Sequence, residues 1–454
     1  MAPDSHHSNN CPAWVLIAVA LFAILLRAIG YDGLAVSDDM GYAHFADRIA
    51  TGLFRLEHHH YAIRFGMTAP VALLYSLFGM HEWTTALYPL AASVAASVLL
   101  AAIGCRIGGP MAGLFSGLLL ASLPMEALYG GMLVPEAVLQ AVLLAAALLY
   151  VVADQRSSPL LAGLSGVAFG LAFLVKEPAV FVLAAFVLFG LLQRRYRLAI
   201  ALAAGAAFVA GTEFALFYWA TGDPFFIHSA MKVHNAGMAR WAQTLDLPYR
   251  LFKYYPRILL VPSSFVGLHG LIATGAALYG VFRWRKPAYA LLILWAVIPY
   301  LYLNFGSSSF REFVPLPAAH RYLLVTFPPL LLLAGLGLAG VAARGRRWLP
   351  VVGLVMAFAC AAGVWGVLDM KAQHEGRRTT AALKAFVQEA EAGGQSLCLA
   401  PGTSYYWEMA VRVWSPGRLG CEGDRVLYLT EDDQLMPVRG RTPVKRTLQP
   451  VTAR

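Results

Sequence analysis

Unbroken apolar runs recur along the chain, joined by short polar links. A bilayer core takes roughly 20 apolar residues per helix. Runs of that kind cover residues 14–30, 84–104, 110–125, 137–153, 160–176, 178–192, 198–219, 263–282, 287–303, 321–341 and 349–369. They are continuous rather than alternating, which argues against a barrel. Only helices and closed barrels satisfy the backbone in lipid. The pattern therefore predicts an all-α polytopic membrane protein with about eleven spans. The first run lacks a basic start and a small-residue cleavage site, so it reads as a retained span rather than a signal peptide.

Two stretches depart from this pattern. Residues 31–83 form a long polar loop after the first run, rich in acids and histidines. Within it, Phe45, Ile49 and Leu53 fall at helical spacing, which predicts a short amphipathic helix along the membrane surface. From about Lys371 the chain has ordinary polarity. Ala382, Leu383, Phe386, Val387 and Ala390 share one helical face, and residues 396–400 and 425–430 read as strands. The expected organisation is a membrane domain over 1–370, with its first outer loop at 31–83, and a small α/β appendage over 371–454.

Composition narrows the class further. The chain is 59% hydrophobic and 13% charged, against about 25% charged in soluble domains. The net charge is +10, but the basic residues sit in short links, so nucleic-acid binding is not indicated. These links hold Arg106, Arg156, Arg194, Arg195, Arg197, Arg283, Arg285, Lys286, Arg344, Arg346 and Arg347. Lys and Arg in short loops mark the cytoplasmic side. That places the N-terminus inside and the C-terminus outside. Cys11 and Cys105 then face the cytoplasm, Cys360 lies in a span, and Cys398 and Cys421 fall in the outer tail, where a disulfide can persist.

Candidate chemistry gathers on the outer side. Asp38 and Asp39 follow the first span directly. One Asp at a helix start is ordinarily a cap, but two in tandem leave one for other work. Arg64, Lys176 and Arg321 stand at the outer boundary, against the usual charge bias. Each alone is explained by snorkelling; converging, they suit a lipid-linked phosphate. Glu136 and Glu213 are acids at membrane depth, which are functional hypotheses by default. His58, His60, His228 and His234 are weak candidates for a divalent metal. Adjacent histidines rarely point at one ion, so the solvated-loop reading is preferred and no cofactor is assigned. The chain has no Gly-rich phosphate loop, HExxH or CxxC.

The order of these segments resembles a known family. Asp38-Asp39 with Tyr42 is followed by His60-Tyr-Ala-Ile-Arg64-Phe-Gly66, then Leu77-Phe-Gly79, Leu133-Val-Pro-Glu136, Phe173-Leu-Val-Lys-Glu177 and His320-Arg-Tyr-Leu-Leu324. Over roughly residues 14 to 340 this is similar to the bacterial family 39 glycosyltransferases of the GT-C superfamily, relatives of aminoarabinose transferases and protein O-mannosyltransferases. The resemblance implies a GT-C transmembrane bundle in the bacterial inner membrane. It implies a polyprenyl-phosphate-linked sugar donor and a lipid, glycan or protein acceptor on the periplasmic side. Asp38 takes the position of the catalytic base. Asp39 stands where relatives usually have Glu, and Glu136 where many have Asp. Lys176, Arg321 and Arg64 map to the phosphate contacts. A flippase for a polyprenyl-linked lipid would use the same cations, but no inverted repeat or broken midplane helix supports it.

Overall fold

A computed structural model describes residues 11–232, 234, 247–307, 316, 318–373, 375–394, 396–399, 405–415 and 426–429. Proline sets many of the helix starts, because its missing N–H costs nothing in a first turn. Pro110, Pro124, Pro135, Pro159 and Pro287 each open a helix in this way. The order is α1 (Ala13–Gly30), α2 (Asp38–Ala50), α3 (His60–Ile63), α4 (Phe65–Phe78), α5 (Glu82–Gly108), α6 (Pro110–Ala121), α7 (Pro124–Tyr129), α8 (Pro135–Arg156), α9 (Pro159–Val175), α10 (Ala179–Leu192) and α11 (Tyr196–Thr221). Then come α12 (Tyr255–Leu260), α13 (His269–Val281), α14 (Pro287–Phe305), a 3-10 turn (His320–Val325), α15 (Phe327–Ala342) and α16 (Leu349–Gln373). Last are α17 (Glu375–Ala392), β1 (Ser396–Leu399), α18 (Tyr405–Trp414) and β2 (Val426–Leu429), with β1 and β2 paired in parallel.

Each apolar run of the sequence reading meets a helix. Six of these helices, α1, α5, α8, α11, α14 and the one ending in α16, are long and apolar enough to cross a membrane. The apolar helices α4, α6, α9, α10 and α15 are shorter. On α1, Trp14, Ile17, Leu21, Ile24 and Leu25 are exposed, while Val15, Val19 and Ala23 are buried. An apolar residue on both faces of a helix means protein on one side and hydrocarbon on the other. The chain is a multi-pass membrane protein.

Three expectations need correction. The run over 321–341 does not begin as a helix at Arg321. Pro328 and Pro329 fit only a first turn, so α15 starts at Phe327 and Arg321 sits in the separate 3-10 turn before it. The loop at 31–83 holds α2, α3 and α4, of which α4 is apolar. Finally, α2 has no single buried stripe: Asp39 through Ala43 and Phe45 through Asp47 are all buried, while Leu53 lies beyond its end and is exposed. It is wedged between α4 and α18. In α17, Leu383 and Val387 are buried as the periodicity requires.

One cysteine pair was not anticipated from the sequence. Cys11 is bonded to Cys105, 94 residues away. Cys421 lies outside the described residues, and so does its suggested pairing with Cys398.

Close backbone contact fixes α9 against α11. A Cβ on Gly166 would stand 2.0 Å from the Leu202 carbonyl oxygen, and one on Gly205 would stand 2.1 Å from that of Gly163. Only glycine permits this approach, the usual device for joining helices in lipid. The basic links gather at one end of the bundle. Arg195 pairs with Asp154 at 2.9 Å, and Arg106 donates to Gln155 at 3.4 Å. Glu136 opens α8 and Arg156 closes it, so the site described next lies about 30 Å from that basic end.

Candidate active site

The start of α2, the start of α8, the end of α9 and the 3-10 turn meet at the end of the bundle opposite the basic links. Each is placed by local chemistry. Helix α9 must stop before Pro178, which disfavours a helical residue ahead of it. Lys176, two residues before that proline, caps the helix in an extended conformation with φ −163°, and its side chain is buried. Helix α8 starts at Pro135, which sets Glu136 in its first turn, 4% exposed. Ser37 precedes α2, and both acids fall in its first turn.

These residues form one ion network. Lys176 Nζ donates to Glu136 Oε1 at 2.7 Å. Arg321 Nε lies 3.4 Å from the same oxygen, and Arg321 Nη1 lies 3.1 Å from Asp38 Oδ2. The Tyr61 hydroxyl donates to Asp38 Oδ1 at 2.6 Å. The Tyr322 ring lies under the Lys176 ammonium, 4.2 Å from nitrogen to centroid. Asp38 is partly exposed and Glu136 is enclosed, so Asp38 is the acid a substrate can reach.

The two adjacent acids are put to different uses. Asp39 is fully buried and its Oδ2 accepts the Ala35 N–H at 2.6 Å. Burial lifts its carboxyl to about 7, against the pull of that N–H and with a further push from the charge of Asp38. At Asp38 burial also pushes upward. There the Arg321 charge, the Tyr61 hydrogen bond and Lys176 prevail and hold the carboxyl below the usual range. Asp38 is thus an anion at neutral pH beside two cations.

Arg64 stands one layer away. Its Nη1 donates to the Tyr42 hydroxyl at 2.8 Å, and its Nη2 lies 3.1 and 3.2 Å from the Glu177 oxygens. The Tyr42 ring meets that of Tyr61 edge-on, with centroids 4.6 Å apart. Glu213 is buried on α11, and its Oε2 has no hydrogen-bond partner among the described residues. It is apart from the ion network. The His60 and His234 rings are 3.8 Å apart, while His58 packs on Phe226 and donates to or accepts from Ser229. Burial, with Arg64 nearby, drives His60 far down and His234 to about 4, so both rings are neutral. Among the described residues no three His, Cys, Asp or Glu side chains are grouped to hold a metal.

Sequence reasoning passed over Tyr61 and Tyr322. Their only signal was adjacency to His60 and Arg321 in the quoted segments. It also passed over a buried cluster below the site. Arg27 Nε donates to Ser93 Oγ at 3.0 Å, Ser93 Oγ donates to Glu126 Oε1 at 2.7 Å, and Arg27 Nη2 lies 3.8 Å from that oxygen.

Chemically, the network offers an anionic base beside fixed cations. An ammonium has three donors and a guanidinium five, so a phosphate can join Lys176 and Arg321 without displacing either carboxylate.

Comparisons with known proteins agree with this architecture. The family model for dolichyl-phosphate-mannose-protein mannosyltransferases matches residues 67–219, which include Glu136, Lys176 and Glu213 but neither Asp38 nor Arg321. A search of curated proteins found no match. The crystal structure of ArnT from Cupriavidus metallidurans bound to undecaprenyl phosphate is similar with a TM-score of 0.61 at 16% identity, over 93% of this chain and 86% of that one. The apo form of the same protein gives 0.58 at 17%, over 88% and 84%. The Archaeoglobus fulgidus oligosaccharyltransferase gives 0.54 at 12%, over 87% of this chain but only 61% of its own length. The chain shares the transmembrane fold of these proteins.

Proposed function

We propose that the chain is a membrane glycosyltransferase that moves a sugar from a polyprenyl-phosphate donor to an acceptor hydroxyl. The observation that carries this reading is the ion network itself: Asp38, partly exposed, within 3.1 Å of Arg321, which shares Glu136 with Lys176. In the reaction the acceptor oxygen attacks the anomeric carbon and a new C–O bond forms. The bond from that carbon to the phosphate oxygen breaks, and the polyprenyl phosphate leaves. Asp38 takes the hydroxyl proton. Lys176 and Arg321 hold the leaving phosphate as its charge develops. A single displacement inverts the anomeric configuration. Asp39 has the carboxyl better matched to neutral pH, but geometry comes before pKa in choosing a base, and Asp39 is enclosed against Ala35. The basic end is assigned to the cytoplasm by the charge bias of short loops. The site then faces the periplasm of a bacterial inner membrane, with residues 371–454 as an appendage on the same side.

The test uses protein in lipid nanodiscs, a panel of polyprenyl-phosphate sugars and an envelope extract as acceptor. Mass spectrometry follows loss of donor sugar and gain of mass on acceptor. Wild type transfers sugar, and Asp38→Asn loses about 100-fold or more of the turnover. Full activity in Asp38→Asn refutes the base. Donor movement across the bilayer without transfer, equal in both proteins, refutes the transferase in favour of a flippase.

A further inference from the structure

The C-terminal helix α18 touches the site. Tyr406 Oη donates to Tyr61 Oη at 3.4 Å, and Tyr61 in turn donates to Asp38 at 2.6 Å. The rings of Tyr406 and Tyr61 meet edge-on, with centroids 6.4 Å apart. One residue before, Tyr405 packs on His44 of α2 at 4.7 Å. One turn and a half further on, Arg412 Nη1 pairs with Asp47 Oδ2 of α2 at 2.9 Å. Trp407, Met409, Ala410, Val411 and Val413 are buried, so α18 is a packed element and not a loose strap. The segment leading to it is stitched to the bundle as well: Lys384 pairs with Glu82, and Thr380 Oγ1 accepts the Val36 N–H at 3.3 Å.

We infer that α18 completes the site, with Tyr406 as a positioning residue that holds the Tyr61 hydroxyl on Asp38 and Arg412 as the clamp that seats the helix on α2. This rests on the reading of Asp38 as the base. The physical reason is directional. A phenol can rotate its O–H away from a carboxylate, but a second hydroxyl donating into the Tyr61 oxygen leaves its proton one favourable acceptor. Hydrogen bonds in such a chain polarise one another and strengthen the terminal one. The O–O separation of 3.4 Å is long for hydroxyls, so the contact depends on how firmly α18 is seated, which gives Arg412 its role. The titratable groups that face Asp38 are Arg321, Lys176, Glu136, Asp39 and Tyr61 and, further out, Tyr42, His59, Tyr129, His234 and Tyr405. Of these only Tyr405 is on α18, and only Tyr61 both bonds Asp38 and is bonded from α18.

The test reads Asp38 directly. Full-length protein with 13C-aspartate in nanodiscs is titrated by infrared difference spectroscopy, and the Asp38 band is assigned by its loss in Asp38→Asn. Tyr61→Phe should raise the midpoint by about one pH unit, the size of one lost charge-assisted hydrogen bond. Tyr406→Phe keeps the ring and should raise it by a smaller, resolvable amount. The double variant should match Tyr61→Phe alone, since Tyr406 acts through Tyr61. Arg412→Gln should shift the midpoint as Tyr406→Phe does, and Arg412→Lys should restore it. An unmoved midpoint in Tyr406→Phe, or effects that add in the double variant, overturns the inference. The titration needs no substrate. Its failure therefore differs from failure of the transferase reading, which shows as absent transfer by wild type.

Discussion

Glu136→Gln makes a prediction whose sign is not intuitive. The network holds two acids, Asp38 and Glu136, and two cations, Lys176 and Arg321, so it is close to neutral before an anion arrives. Glu136 is the acid that both cations share, at 2.7 and 3.4 Å. A phosphate on the far side of Lys176 would sit about 2.8 Å from Nζ. Added to the 2.7 Å between Nζ and Oε1, that puts the phosphate about 5.5 Å from the Glu136 carboxylate. At an effective dielectric of about 20, their repulsion is about 3 kcal/mol, equivalent to roughly 100-fold in affinity. Salt and the partial exposure of Arg321 reduce this. Glu136→Gln should therefore bind undecaprenyl phosphate about 10- to 100-fold more tightly than wild type. Sugar transfer should nonetheless slow, because Lys176 and Arg321 lose the carboxylate that orients them. Lys176→Met should do the reverse and weaken binding. The assay is titration of undecaprenyl phosphate into nanodisc-embedded protein, with thermal unfolding as the check on folding. A folded Glu136→Gln protein that binds the lipid phosphate equally or more weakly refutes the placement of the phosphate on these two cations.

Two further outcomes follow from buried acids. Arg27→Met leaves Glu126, which is fully buried, without its counter-charge. It should cost about 3–5 kcal/mol, while the double variant Arg27→Met with Glu126→Met recovers most of that. Equal thermal midpoints for single and double variants would sink this account. Asp39 titrates at about 7 when folded, against about 3.9 unfolded. Between those values the folded state keeps a proton that the unfolded state has released. Its contribution is thus most favourable below about pH 4 and declines as pH rises to about 7, by roughly 1.4 kcal/mol per unit. Asp39→Asn should flatten that decline in thermal midpoints measured across the range; an unchanged slope means Asp39 is ionised in both states.

Much of the fold was legible because lipid imposes simple rules. Apolar runs became helices; the prolines at residues 110, 124, 135, 159 and 287 that set helix starts were not used in reading the sequence, and the short helix opened by Pro124 was missed within the run 110–125. The tandem acids were legible as a pair with one member to spare, and the structure gives Asp39 to the backbone of Ala35 and Asp38 to Arg321. What the sequence concealed was partnership at a distance. Arg27 and Glu126 are 99 positions apart, and Arg27 reads as the polar end of a span. Tyr61 and Tyr322 look like interfacial aromatics, which are common at membrane boundaries; only the fold puts one on a carboxylate and the other under an ammonium. The 3-10 turn that frees Arg321 from α15 has a signal in Pro328-Pro329 that the reading of the run by its hydrophobicity did not use. Helix α18 was hidden because a ten-residue amphipathic segment announces a buried face without naming what it lies against.

The glycine contact between α9 and α11 makes the pair a ruler for the site. Gly166 is ten residues from Lys176, about 15 Å along one unbroken helix. Helices do not compress along their axis, so whatever fixes α9 at Gly166 also fixes how far the ammonium projects beyond the end of the helix. A larger side chain at residue 166 or 205 cannot be absorbed locally, because the atom it meets is a backbone carbonyl. It would slide or tilt α9, and the displacement would appear at Lys176 at nearly full size. The reach of the Lys176 ammonium is therefore written near the middle of the bundle, in a contact between two helix backbones.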